Sequence, residues 1–196
     1  MKSGLIFTQN QIDKLGNTLI FLSEKMKPIS KTHLLKLIFI IQEMSIKKYG
    51  IPFFDLRFDV WKLGPVSKDL YVELSGEITL LSDYISKDPN DDKSIIPKKE
   101  FSDDEFNDNE IALLNDISNR FLFCTAKELI NFTHRKGTPW YETAQQNGVL
   151  ELLENGKMTV TDIEIDLAKT IEDDERKLAL YNNYQDFLKQ SKSLKL

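Results

Sequence analysis

The residues able to do chemistry are few in this 196-residue chain. It has two histidines, His33 and His134, and one cysteine, Cys124. An imidazole can hold a metal or move a proton, and a thiolate can attack carbon. Neither histidine stands in an HExxH pattern, and no CxxC accompanies them, so a zinc site lacks its usual ligand spacing. No GxSxG, Walker A or GxGxxG stretch occurs. Carboxylates are plentiful, but no spacing singles out a pair for acid and base work. The sequence therefore points away from an enzyme, and neither a metal nor a cofactor is expected.

His33 falls in the first turn of an apolar helix and reads as structural. His134, in "FTHRKGTPW", falls at a helix C-terminus, where an imidazolium is favourable. It is the better functional candidate of the two. Cys124 lies among apolar neighbours and reads as a buried structural thiol.

The elements that must position these groups are legible from period and caps. Thr8 and Gln11 form a capping box, and Ile12, Leu15, Leu19, Leu22 and Met26 recur on one helical face. Ser30 caps a second helix that runs to Tyr49 and stops at Gly50. It is apolar nearly all round, as a central core helix is. In "FDLRFDVWK" the period changes to two, predicting a half-buried strand over residues 53–62. Trp61 then falls on the charged face. Either the strand twists there or the indole covers something on that side.

Gly64-Pro65 predicts a new helix with Pro at its first position, lined by Val66, Leu70 and Leu74. Ile78, Leu81 and Ile85 suggest another short helix. Residues 86–107 read as an exposed polar loop, with a brief extended contact at Ile95 and Ile96. Helices follow on the stripe Ile111, Leu114 and Ile117 or Ser118, after the capping box Thr125–Glu128, and after the cap Thr138 with Pro139. Met158 and Val160 suggest a small strand, and Thr161 with Glu164 a further capping box. A last helix over about 172–190 is expected to bury Leu180, Tyr184, Phe187 and Leu188, with "KQSKSLKL" fraying. The fold class is mainly α with a small antiparallel β element (α+β), a compact helical domain around a buried central helix.

The formal net charge is −5. A duplex binder gains affinity from Lys and Arg on phosphates, so an acidic chain argues against dedicated DNA binding. "HRKGT" and "KPISKTH" are small basic clusters without interleaved aromatics. No apolar run approaches the length of a bilayer span, and no secretory leader is recognised; a cytoplasmic protein is expected.

Two segments taken together carry a family signal. In "LLKLIFIIQEMSIKKYGIPFFDLRFDVWKLGPVSKDLY" an apolar helix leads to Tyr-Gly, a strand, and Trp-Lys-x-Gly-Pro-Val with a later Tyr. In "CTAKELINFTHRKGTPWYETA" a Thr-Ala-x-x-Leu helix leads to Thr-His and then Pro-Trp. In this order the chain resembles the Panacea-domain family, which includes SocA-like antitoxins and phage-associated GepA-like proteins. The likeness covers residues 8–170, with the segment 171–196 as a helix and tail packed on or extending that domain. Leu63 departs from the pattern, standing where an aromatic is common. The motif positions are Trp61, Lys62, Gly64, Pro65, Val66, Tyr71, His134, Pro139 and Trp140, and the resemblance makes them the partner-binding candidates. It implies an antitoxin that neutralises a cognate toxin protein by direct contact. It further implies, for SocA-like members, an adaptor that hands the toxin to a ClpXP-type protease. The alternative reading is a DNA-binding or phage- or mobile-element-associated regulator.

Overall fold

The computed structural model describes residues 7–193. Two long helices form its centre. Helix α1 (Gln9–Lys25) starts at the Thr8–Gln11 capping box, with both reciprocal hydrogen bonds made. Helix α2 (Lys31–Tyr49) is capped by Ser30 Oγ and ends at Gly50, whose φ of 72° suits a residue without Cβ. Leu34, Leu37, Ile38, Phe39, Ile40 and Ile41 of α2 are fully buried. Their burial on every side follows from what surrounds α2: helices α3 (Lys68–Ser75), α4 (Asp108–Phe121) and α5 (Ala126–Thr133), a 3₁₀ turn over Leu167–Ile171, and helix α8 (Glu175–Ser193). Short helices α6 (Pro139–Gln146) and α7 (Leu150–Glu154) complete the set. The fold is mainly α with small antiparallel sheets.

The expected strand over 53–62 is much shorter. Only β2 (Asp59–Trp61) pairs, with β3 (Gly64–Val66), in a hairpin turning at Lys62-Leu63. The preceding residues have another solution. Gln42 of α2 donates through Nε2 to the Phe54 carbonyl (3.1 Å) and accepts from the Phe54 N–H (2.8 Å). A core side chain thus takes the backbone groups that a neighbouring strand would use, while Phe53, Phe54 and Phe58 bury their rings.

Gly64-Pro65 is therefore strand, not a helix start. The helix begins after Ser67. Ile78 lies in irregular chain, a turn follows over residues 80–84, and Ile85 opens a strand rather than closing a helix. The expected loop over 86–107 contains most of a hairpin. Strands β4 (Ile85–Asp88) and β5 (Asp91–Pro97) pair with each other, and β5 also pairs with β1 (Ile29–Ser30) at Ile95 and Ser94. Ser94 and Ile95 are buried by that distant partner.

Residues 159–165 form neither a strand at 158–160 nor a capped helix. They run extended beside β2. The Val60 N–H donates to Ile163 O, the Lys62 N–H to Thr159 O, and the Ile165 N–H to Phe58 O. Thr161 uses its hydroxyl on the Val60 carbonyl (2.6 Å) instead of capping a helix. Helix α8 leaves Leu180 and Phe187 exposed, contrary to expectation, while Tyr184 and Leu188 are half-buried. It continues through the stretch expected to fray; residues 194–196 lie outside the described residues.

Candidate functional site

The motif positions meet where the β2–β3 hairpin docks on α2, α5 and α6. Pro65 faces Val60 across the hairpin. Proline has no N–H to offer outward, which suits it to the open edge of a sheet. Its carbonyl still needs a donor, and Lys36 Nζ of α2 supplies it at 2.8 Å. Lys36 is 1% exposed. Burial lowers its pKa from an ordinary 10.5 to about 7.

Gly64 lies under the same group with φ 96°, a conformation that favours glycine. A Cβ there would come within 2.8 Å of Thr133 Oγ1 and 3.2 Å of both His134 Nε2 and Lys36 Cε. Space and backbone thus both require glycine. Thr133 closes α5, its hydroxyl donating to Ile130 O at 2.9 Å. His134 is the C-cap of α5.

The His134 ring stacks on Trp140, with centroids 3.8 Å apart and planes 16° from parallel. Trp140 is 1% exposed, and its indole N–H donates to the Trp61 carbonyl at 2.9 Å. Helix α6 is aimed by its own start: Thr138 caps the Tyr141 N–H and Pro139 takes the first turn. His134 is not the favourable imidazolium expected at a helix end. Desolvation, with the charge of Lys36, lowers its pKa to about 4. Its Nε2 is buried and has no hydrogen-bond partner, as has Ser67 Oγ. A neutral imidazole between an indole and an amine acts here as a packing plate.

The outer part of the motif differs. Trp61 and Trp140 do not stack; they meet through the Trp61 carbonyl. The Trp61 indole instead packs edge-on to Tyr71 at 5.0 Å and donates to Thr161 O at 3.1 Å. It thus lies away from the core face, held between α3 and the extended segment. Tyr71 carries Lys31 Nζ over its ring at 4.7 Å. Lys62 is half-exposed at the hairpin turn, and Leu63 beside it is 56% exposed. Val160, 50% exposed, stands next to Thr159, which accepts from the Lys62 N–H. Below them, buried Asp59 holds Arg57 at 2.8 Å, and Arg57 Nη2 donates to Asp162 O at 2.6 Å, fastening the extended segment to β2. Burial, and after it the charge of Asp59, raise the pKa of Asp69.

The structure therefore divides the nine motif positions. Gly64, Pro65, Val66, Pro139 and Trp140 are buried, and His134 is mostly so. Trp61, Lys62 and Tyr71 reach the surface in part. Sequence reading missed Lys36 and Thr133. The signal for Lys36 was present: it is the lone charge inside "LLKLIFII". The His33 ring nitrogens bridge Ser30 Oγ and Cys124 O. Cys124 is only half-buried, a correction to the buried thiol expected.

No group of three or more His, Cys, Asp or Glu that could hold a metal ion occurs among the described residues. No helix among them is long and apolar enough to cross a membrane. No curated protein and no solved structure matches the chain. A family model does, that of the antitoxin SocA-like, Panacea domain, over residues 34–141. That span is more than half of the chain. It opens just before Lys36 and closes just after Trp140, so it brackets the buried cluster. The chain belongs to the SocA-like antitoxin family, as a bearer of the Panacea domain.

Proposed function

We propose that this chain neutralises a cognate protein toxin by direct contact through the β2–β3 hairpin rim, and that it hands that toxin to a ClpXP-type protease. The observation that carries the contact surface is the pairing of a fixed base with an apolar edge. Lys36, His134 and Trp140 lock the hairpin from below. Trp61, Leu63, Tyr71 and Val160 stand above it with solvent access. Aromatic side chains beside Lys are favoured interface anchors, and a rigid mount lowers the entropy lost on binding. Family membership supports a toxin as the partner. The adaptor step rests on the likeness to SocA-like members.

The test is co-expression with the product of the adjacent gene. Growth rescue and co-purification are expected with the native chain and loss of both with Leu63→Asp. A harmless neighbour, or rescue untouched by substitutions on the rim, overturns this reading. Removing the protease separates the second step: an adaptor then still binds the toxin but no longer shortens its half-life.

A further inference from the structure

A second surface stands apart from the hairpin rim, on the α4–α5 turn and the outward side of α5. Helix α5 buries Leu129 and Thr133 toward the interior. Lys127 and Asn131, four apart, are exposed on it, and Arg135, just past its C-cap, is exposed too. Arg120, at the end of α4, is exposed beside the same turn. At the turn itself Phe123 is 93% exposed, the most exposed large apolar side chain among the described residues.

The two guanidiniums are already positioned. Arg135 lies over the Phe132 ring at 4.0 Å, with its Nε donating to the Phe132 carbonyl at 3.2 Å. Arg120 lies over Phe132 at 5.6 Å and over Phe121 at 5.4 Å. The two rings pack edge to face at 5.0 Å. Among the described residues none of Arg120, Lys127, Arg135 or Lys136 forms an ion pair. Of the carboxylates near in sequence, Glu128 is occupied by the Thr125 N–H at 2.7 Å and the Thr125 hydroxyl at 2.8 Å, Glu142 accepts from the Gly137 N–H at 3.2 Å, and Asp116, one helical turn before Arg120, makes no ion pair with it. Residues 116–142 carry four cations, Arg120, Lys127, Arg135 and Lys136, against three anions, in a chain of net charge −5.

We infer that this patch docks an acidic segment of a partner protein that also presents an apolar side chain to Phe123. Guanidiniums stacked on aromatic rings lose little freedom on binding, and their fork matches carboxylates in pairs. Lone cations in water gain little, but cations without internal partners are free to meet an incoming carboxylate. An exposed phenylalanine at the edge of the guanidinium pair is an anchor of the kind that dominates protein interfaces. Nucleic acid fits less well. A duplex or long strand needs a cationic track along its backbone, and this patch is short, in a chain of net charge −5. The inference does not depend on the hairpin reading, since none of its residues lies there.

Fluorescence anisotropy tests it on the full chain. The probe is a short labelled peptide of mixed Asp and Glu with two central leucines. Its controls are the same peptide with Lys for the acids, an all-polar acidic peptide, and single-stranded oligouridylate. The leucine-containing acidic peptide is expected to bind best, with binding weakened by salt. Arg120→Gln with Arg135→Gln should weaken it at least about tenfold. Phe123→Ser should weaken it while leaving the all-polar peptide unchanged. Lys93→Gln, an exposed lysine elsewhere, should have no effect. Equal loss with Lys93→Gln, no preference over the lysine peptide, or tighter binding of oligouridylate overturns the inference. Melting curves check each variant. If the double arginine variant does not fold, Phe123→Ser and Lys127→Gln decide by the same criteria.

Discussion

The lower and upper halves of the hairpin site use the same short motif for opposite ends. Below, Lys36, Gly64, Pro65, His134 and Trp140 are packed so closely that a methyl group at Gly64 has no room. Above, Trp61, Lys62, Leu63 and Tyr71 keep part of their surface in water. The lower half contains costly choices, a buried amine and an imidazole nitrogen without a partner. A stable core alone has no use for either. Their arrangement does fix one thing, the position of the β2–β3 hairpin, whose Pro65 carbonyl would otherwise lack a donor. The comparison teaches that recognition and positioning can be coded by adjacent letters, with burial deciding which does which.

Trp140→Ala should break the lower half with the largest effect. It removes a fully buried indole, its stack on His134 and the donor to the Trp61 carbonyl. Large aromatic truncations in cores cost roughly 3–5 kcal/mol. Chemical denaturation should show a loss of that order, and toxin neutralisation should fail along with the fold. A loss within experimental error would mean that the hairpin does not rely on this cluster.

The next effect is on pH dependence. Lys36 is held near pKa 7 in the fold against 10.5 ordinarily, so from pH 7 upward the unfolded chain binds the extra proton. Its contribution to stability therefore rises with pH across that window. His134, near 4 in the fold against 6.5, works in the acidic window: its contribution falls as pH drops from 6.5 toward 4. Lys36→Met should flatten the alkaline rise. It should also move the His134 titration, followed by NMR, toward the ordinary value, because the Lys36 charge is part of what opposes protonation. An unmoved His134 midpoint would show the two groups to be independent.

Much of the lower half was hidden from sequence for one physical reason. The caps at Thr8, Ser30, Thr125 and Thr138 are local, made between residues three apart, and each was legible. The errors arose where a group's partner comes from far along the chain. Phe54 alternates like a strand residue, but Gln42 takes its backbone groups. Pro65 follows a glycine as a helix-opening proline would, but Lys36 makes it a tolerable edge-strand residue. Residues 91–97 look like a polar loop until Ile29 and Ser30 pair with them. Trp61 was the useful exception. Its place on the wrong face for core packing announced a second contact, and that contact is Tyr71 and the Thr161 carbonyl.

Trp61→Ala sharpens the boundary between the halves. The indole is half-exposed, with one ring neighbour and one hydrogen bond. Its removal should cost about 1–2 kcal/mol of stability, less than Trp140→Ala. If it anchors the toxin, binding should weaken by about 2 kcal/mol or more. Melting and toxin affinity measured on one preparation separate these contributions. Stability and neutralisation both unchanged would remove Trp61 from the site.

Leu63→Asp should have the smallest effect on the fold and the cleanest on function. Leu63 sits at the hairpin turn, 56% exposed. Surface changes away from caps and cores usually stay within about 0.5 kcal/mol, so the melting temperature should hardly move. A carboxylate there would face desolvation against an apolar partner surface, which is among the costlier changes at an interface. Neutralisation should therefore fail in a protein that is still folded. Lys62→Ala at the neighbouring position should likewise leave the fold intact, since its ammonium reaches over Gly156 at the surface, and report on toxin binding alone. Should Leu63→Asp neutralise as well as the native chain, the toxin does not meet the turn. The rim would then be the flank of an interface centred nearer Tyr71 and Lys31, where the cation over the ring marks the next place to cut.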